Sequence, residues 1–160
     1  MAFWSGIFTS GGEELGAPVS GEAIALDEVE DEVFSRGMLG MGAAIMPEGG
    51  RLIAPCAGQI DTVFETGHAL TMTTACGAQV LLHIGIDTVK LGGRHFCVHC
   101  AAGDQVSKGQ LLMKFDPEAI AREGYDAVVV MTLPEGGDVR RLVSGRHVGE
   151  GETVILFAPR

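Results

Sequence analysis

No apolar stretch of this chain runs far before a glycine cuts it. Twenty-four of its 160 residues are glycine. Together with proline and aspartate they divide the apolar sequence into short lengths at residues 23–26, 43–46, 51–53, 59–65, 69–73, 79–86, 96–100, 111–115, 127–133 and 153–157. Most of these are four to eight residues long and rich in Val, Ile, Leu and Thr. Such lengths are short for globular helices and suit strands joined by tight turns. The expected fold is all-β, an antiparallel sandwich or barrel with one or two short helical turns. One helical turn is predicted over residues 117–123, with Asp116 as N-cap and Pro117 at the first helical position. The acidic run DEVEDEVF at 27–34 offers a second, although a run of this kind reads first as a solvated face.

The glycines also mark an internal repeat. Gly103, Val106, Gly109 and Phe115 recur as Gly145, Val148, Gly151 and Phe157, every position shifted by the same 42 residues. Each copy reads as a tight turn leading into a strand that ends on a core aromatic, so the fold is expected to combine related β-units.

Charge narrows the partners. Eleven Lys and Arg stand against 21 Asp and Glu, a net charge of −10. Nucleic-acid binding needs a basic field to displace counterions, so nucleic acid is excluded and a basic protein partner is favoured. No apolar run approaches the ~20 residues that span a bilayer. Phe3, Trp4, Ile7 and Phe8 lack the basic flank of a surface anchor or a signal peptide. Residues 1–16 are therefore expected to be a flexible tail, residues 17–160 a single domain, and stable membrane insertion is not expected. Cys56, Cys76, Cys97 and Cys100 without an export signal read as reduced thiols, which places the chain in the cytoplasm. A start at Met1 with its own tail suggests a free-standing protein.

Two of the five histidines stand apart. In Gln79-Val80-Leu81-Leu82-His83-Ile84-Gly85-Ile86-Asp87, positions 80, 82, 84 and 86 are apolar. Period-2 alternation sends them to the core and sends Leu81, His83, Gly85 and Asp87 to the other face. His68 has Thr66 two residues before it, a hydroxyl able to bond one ring nitrogen and fix the tautomer.

The strings GEAIALDEVEDEVFSRGMLGMGAAIMP, GRLIAPCAGQIDTVFETGHALTM, LLHIGIDTVKL and GDQVSKGQLLMKFD resemble the glucose-type IIA component of the bacterial sugar phosphotransferase system, in order, over residues 17–157. The resemblance implies a β-sandwich of the duplicated hybrid-motif type and a phosphocarrier without a permanent cofactor. It gives His83 the role of accepting a phosphoryl group from phospho-HPr and passing it to a cysteine of an EIIB domain. His68 is implied to stabilise that group, Thr66 to orient His68, and Asp87 to be the acidic neighbour. Donors around the phosphoryl oxygens are expected from His68 and from backbone N–H groups after Gly85. A docking rim of Met38, Leu39, Phe64, Leu70 and Val89 is implied. Met41 belongs to it too, but departs from the family, where an acidic residue often stands. The segment after Tyr125, DAVVVMTLPE, departs as well, where relatives tend to open on Thr-Pro and close on Asn. Relatives also bind permeases and kinases, which makes regulatory protein targets conceivable.

Other readings compete. A regulatory binding module would use the same face without turnover. His83-x-x-x-Asp87 matches the spacing of some zinc hydrolases, but their H-x-H pair is missing. GDQVSKGQLL is similar to a biotinyl or lipoyl hairpin, but Lys114 lies too close to the turn. His68 and His83 supply half a tetrahedral zinc site and would bind the metal adventitiously. His95, Cys97 and His99 alternate on one expected strand, a pattern that seldom converges on one metal.

Overall fold

The computed structural model describes residues 12–158. Fourteen strands and two short helices follow one another among them. They are β1 (Glu13–Gly16), β2 (Gly21–Ile24), α1 (Glu32–Ser35), β3 (Gly42–Pro47), β4 (Arg51–Ile53), β5 (Gly58–Val63), β6 (Ala69–Thr74) and β7 (Gln79–Ile84), followed by β8 (Phe96–Val98), β9 (Gln105–Val106), β10 (Leu111–Phe115), α2 (Pro117–Arg122), β11 (Val129–Thr132), β12 (Asp138–Leu142), β13 (Arg146–Val148) and β14 (Thr153–Ala158). All strand pairs are antiparallel. They form one eight-stranded sheet, ordered β13-β2-β3-β11-β7-β6-β5-β9, and two three-stranded sheets, β1-β14-β12 and β4-β10-β8. The all-β fold is as expected. The expected tail is corrected in part: Glu13–Gly16 pair with β14, while residues 1–11, with Phe3, Trp4, Ile7 and Phe8, lie outside the described residues.

The repeat is physical. Gly103, Gly109, Gly145 and Gly151 all hold positive φ, 94°, 89°, 75° and 82°, a region in which a Cβ is penalised. Each copy runs from a short strand into a long one, β9 into β10 and β13 into β14, and Phe115 and Phe157 end buried. A second echo supports it, Ala17-Pro18-x-x-Gly21 against Ala54-Pro55-x-x-Gly58. Gly109 donates to the Ala54 carbonyl and Gly151 to that of Ala17, each at 2.9 Å. The copies also clasp one another, since Gly16 donates to the Pro55 carbonyl and Ile53 to that of Pro18, each at 2.9 Å. The large sheet follows the same symmetry: β13-β2-β3-β11 on one side of its centre corresponds to β9-β5-β6-β7 on the other.

The inner face of the large sheet carries the main core, with Ile45, Leu70, Met72, Val80, Leu82, Ile84, Val129 and Met131 packed against Leu15, Leu112 and Phe157. A smaller apolar cluster lies on its outer face, where Ala44, Leu81, Val128 and Val130 are covered by Val29, Phe34 and Ile86. Ile86 was expected in the main core. The strand ends at Ile84, Gly85 turns the chain at φ 75°, and Ile86 arrives on the other side. The acidic segment is thus only partly a solvated face: it folds as α1, and its Val29 and Phe34 are buried.

Candidate functional site

His83 sits on β7, next to the pseudo-two-fold centre of the large sheet, with Val130 of β11 and Ala69 of β6 as its ladder partners. Alternation sends it outward, as expected, where it is half-buried and lines a partly open cavity of about 510 Å³. Asp31, Phe34, Leu39, Phe64, Leu81, Asp87, Thr88 and Val89 help to line that cavity.

His68 precedes β6, so the pairing of Ala69 with His83 brings the two imidazoles together from adjacent strands. Their ring centroids are 4.9 Å apart with the planes at 83°, edge to face. Thr66 Oγ1 and His68 Nδ1 share a hydrogen bond of 2.5 Å. This contact comes from a turn and not from strand alternation. Phe64 to His68 form the β5–β6 hairpin connection, closed by Gly67 N–H donating to the Phe64 carbonyl at 2.8 Å. Phe64 then meets the edge of His68 (5.4 Å) and Phe34 the edge of His83 (5.0 Å).

Burial governs the protonation of both rings, because an apolar enclosure disfavours the cation. It holds His83 down to about 4, with neighbouring His68 adding to the effect. The Gly85 backbone, Asp31 and Asp87 act in the opposite direction. His68 is also lowered, by burial. Both imidazoles are therefore neutral at pH 7. His83 Nδ1 is buried with no hydrogen-bond partner of good geometry, although the Gly85 backbone lies near enough to favour the charged form somewhat.

The loop after His83 is held from several sides. Gly85 N–H donates to the Val128 carbonyl (2.7 Å) and Ile86 N–H to that of Asp126 (2.9 Å). Thr88 Oγ1 donates to the Ile84 carbonyl (2.5 Å). A Cβ on Gly85 would lie 2.4 Å from Thr88 Cγ2 and 2.9 Å from the Asp126 carbonyl oxygen, so only glycine fits. These bonds correct one expectation: of the N–H groups after Gly85, that of Ile86 is already committed and cannot hold a phosphoryl oxygen. Asp87, at φ 61°, opens a 3-10 turn, Thr88–Leu91, and is exposed at the cavity rim.

The expected docking residues divide. Phe64, Val89 and Leu39 line the cavity, and Met38 is widely exposed nearby in sequence, at 68%. Met41 is exposed but lines a separate depression with Ala25, Leu26, Arg36 and Leu142. Leu70 is a correction. It is fully buried in the main core, because Ala69, Thr71 and Thr73 take the outer positions of β6 and leave Leu70 inward. Thr71 lines the cavity in its place. Asp31 and Phe34 are additions from α1. The signal for them was an aspartate before an apolar pair, the start of a capped helical turn. His95 pairs with Glu123. Among the described residues no group of three or more His, Cys, Asp or Glu is disposed to hold a metal ion.

A duplicated β-sandwich with two neutral, edge-to-face histidines beneath an apolar, acid-rimmed cavity defines a class, and comparison with known proteins agrees. Residues 13–139 match the family described as phosphoenolpyruvate-dependent sugar phosphotransferase system, EIIA 1. The chain belongs to this family. It is 37% identical over 142 residues to a glucose-specific EIIA component from Oceanobacillus iheyensis, covering 88% of this chain and 86% of that one. It is 43% identical over 128 residues to the beta-glucoside-specific EIIBCA component of Dickeya chrysanthemi, covering 80% of this chain and 20% of the relative. The chain thus spans about a fifth of the length of that multidomain relative. The structure of glucose permease IIA from Mycoplasma capricolum superimposes with a TM-score of 0.83 at 36% identity, covering 91% of this chain and 95% of that one. Among the described residues no helix is long and apolar enough to cross a membrane.

Proposed function

We propose that this chain is a cytoplasmic phosphocarrier, the chain from Glu13 onward acting as one EIIA-type domain. His83 accepts a phosphoryl group from phospho-HPr and passes it to a cysteine of an EIIB domain. The observation that carries this reading is the edge-to-face pairing of two neutral imidazoles, of which His83 lines the cavity. With Nδ1 enclosed, Nε2 is the His83 nitrogen left to attack. Its lone pair is available at pH 7 because burial keeps the ring unprotonated. The N–P bond forms as the donor's bond to phosphorus breaks, and the group keeps its three equatorial oxygens throughout. His68, with Nδ1 engaged by Thr66, has Nε2 left to serve those oxygens. A hydrogen-bond donor there stabilises charge where it develops. The apolar walls, Leu39, Phe64, Leu81 and Val89, exclude water, which strengthens these interactions and slows hydrolysis of the phosphohistidine. Asp31 and Asp87 give the rim a charge suited to a basic partner.

Incubation with phosphoenolpyruvate, enzyme I and HPr, followed by mass spectrometry, tests this reading. One acid-labile phosphate on His83 is the expected result. A chain that binds HPr but takes no phosphate would be a regulatory binding module instead.

A further inference from the structure

The chain that leaves His83 turns at once, and its amides do what those of a strand do not. Successive N–H groups of an extended strand point to opposite sides. At Gly85, where φ is 75°, two consecutive amides instead bond the same neighbouring segment. Gly85 N–H reaches the Val128 carbonyl at 2.7 Å, and Ile86 N–H that of Asp126 at 2.9 Å. The turn matters to the reacting ring. The Gly85 backbone acts on His83 in the direction that favours its charged form, as a carbonyl accepting from a ring N–H does. The orientation of His83 therefore depends on where Gly85 is held.

Gly85 is held by a segment without regular structure of its own. The ladder between β7 and β11 ends at Ile84 and Val129, and residues 125–128 belong to no helix or strand. A side chain gives this segment its shape. Asp126 accepts through Oδ1 from Val128 N–H at 2.9 Å, the bond to the residue two places on that closes an Asx turn. That closed ring spans the two residues whose carbonyls hold Gly85 and Ile86. Its flanks are fixed as well, since Ala127 packs in the main core and Val128 in the outer apolar cluster. The contact has no slack: a Cβ on Gly85 would lie 2.9 Å from the Asp126 carbonyl oxygen. Asp126 also opens DAVVVMTLPE, the stretch in which this sequence departs from the family pattern.

We propose that Asp126 is a positioning residue for phosphoryl transfer: its carboxylate sets the spacing of the Asp126 and Val128 carbonyls, which hold the Gly85 turn and with it the ring of His83. The inference rests on His83 being the nucleophile. Misplacing a reacting atom by about 1 Å is enough to cost up to ~10²-fold in rate.

Two variants of the full chain separate the bond from the charge. Asp126→Ala removes both. Asp126→Asn keeps an acceptor oxygen for Val128 N–H and removes the charge. Each is assayed for the rate of phosphate acceptance from phospho-HPr, for hydrogen exchange of the Gly85 and Ile86 amides, and for the chemical shifts of the His83 ring nitrogens. Urea unfolding shows that each variant is folded. Asp126→Ala is expected to lose about tenfold in rate, to exchange both amides faster and to displace the ring-nitrogen signals. Asp126→Asn is expected to restore all three. A wild-type rate, or wild-type ring signals, in a folded Asp126→Ala chain would overturn the proposal. So would an Asp126→Asn chain as slow as Asp126→Ala, which would assign Asp126 to charge alone. Should Asp126→Ala not fold, Asp126→Ser, whose hydroxyl is a weaker acceptor, takes its place under the same outcomes. If even the wild-type chain takes no phosphate, the functional reading fails, while the amides and ring nitrogens still decide whether Asp126 holds the turn.

Discussion

The two halves of the large sheet share a backbone plan and differ in chemistry. β3 stands to β2 as β6 stands to β5: Gly21 pairs with Pro47 in one, and Gly58 with Thr74 in the other. Following the ladders inward, Gly42 faces Thr132 where Ala69 faces His83. The residues just before β3 and β6 correspond as well, for Leu133 N–H donates to the Met41 carbonyl (3.0 Å) as Ile84 N–H donates to that of His68 (2.8 Å). Position for position, then, His83 answers to Thr132 and His68 to Met41. One half holds two neighbouring imidazoles, one of which, His83, lines a cavity. The other holds a fully buried threonine, whose hydroxyl has no partner, and an exposed methionine. The backbone alone does not make the site. The histidine half also has a cavity, and part of its lining, Asp31 and Phe34, comes from the β2–β3 connection of the other half.

The largest break in the equivalence concerns the reacting atom. His83→Ala is expected to abolish phosphate acceptance without unfolding the chain, since the side chain faces away from the main core. Thr132→Val should leave acceptance intact and cost no stability, because it removes a buried hydroxyl that has no bond to lose. Labelling with phosphoenolpyruvate, enzyme I and HPr measures the first, and urea unfolding the second. Undiminished labelling of His83→Ala would place the chemistry elsewhere.

Next comes the second imidazole. His68→Gln should still accept phosphate but deliver it to EIIB more slowly, by ~10²–10³-fold where a charge-stabilising donor is lost. Met41→Gln, the same change at the corresponding position, is expected to leave both steps near wild type. Rapid-quench measurement of the two half-reactions is the check, and equal losses in both directions for His68→Gln would remove its asymmetric role.

A smaller effect tests whether the repeat is a true equivalence. Gly103→Ala and Gly145→Ala each place a methyl in open space at positive φ. Steric contacts therefore drop out, and each should cost about 1–2 kcal/mol of conformational strain. Unequal midpoint shifts in urea would show that the two turns carry different loads.

The smallest effect is electrostatic, and its sign differs between the halves. His83, lowered to about 4 from an ordinary 6.5, binds fewer protons folded than unfolded between those values. Its contribution to stability is therefore complete above pH 6.5 and is lost as the pH falls toward 4. His147 on β13 is raised, first by its hydrogen bond to Glu48 (2.8 Å). It stabilises below 6.5, and that support fades as the pH rises through its folded value. Being fully exposed, the pair contributes little. Proton NMR titration should show His83 with a midpoint far below 6.5 and His147 above it.

Much of this was legible in the sequence where the signal was local. Alternation along residues 80–84 turned His83 away from the core, and Asp116-Pro117 marked α2. Four strands left no such trace. β12 is an edge strand carrying Arg140 and Arg141, largely exposed on both faces, so it has no apolar alternation to read. β9 and β13 have two and three residues, and β1 hides in an acidic stretch taken for a tail. In the site, the docking role that the resemblance implies for Leu70 fails because alternation from Ala69 turns Leu70 into the core. Phe34 against His83 was invisible because only tertiary packing joins a helical turn to a strand so distant in sequence.

The reciprocal hydrogen bonds between the repeats, Gly16 to Pro55 and Ile53 to Pro18, carry an implication for ancestry. A chain holding one unit would leave a buried N–H and carbonyl with nothing of its own to satisfy them. The exchange of identical bonds across a two-fold axis is what an isologous dimer makes between separate molecules. The clasp now closed within one polypeptide therefore has the form of a former subunit interface. Within one polypeptide the two copies need not be identical, and a single reactive histidine pair does not have to be built twice.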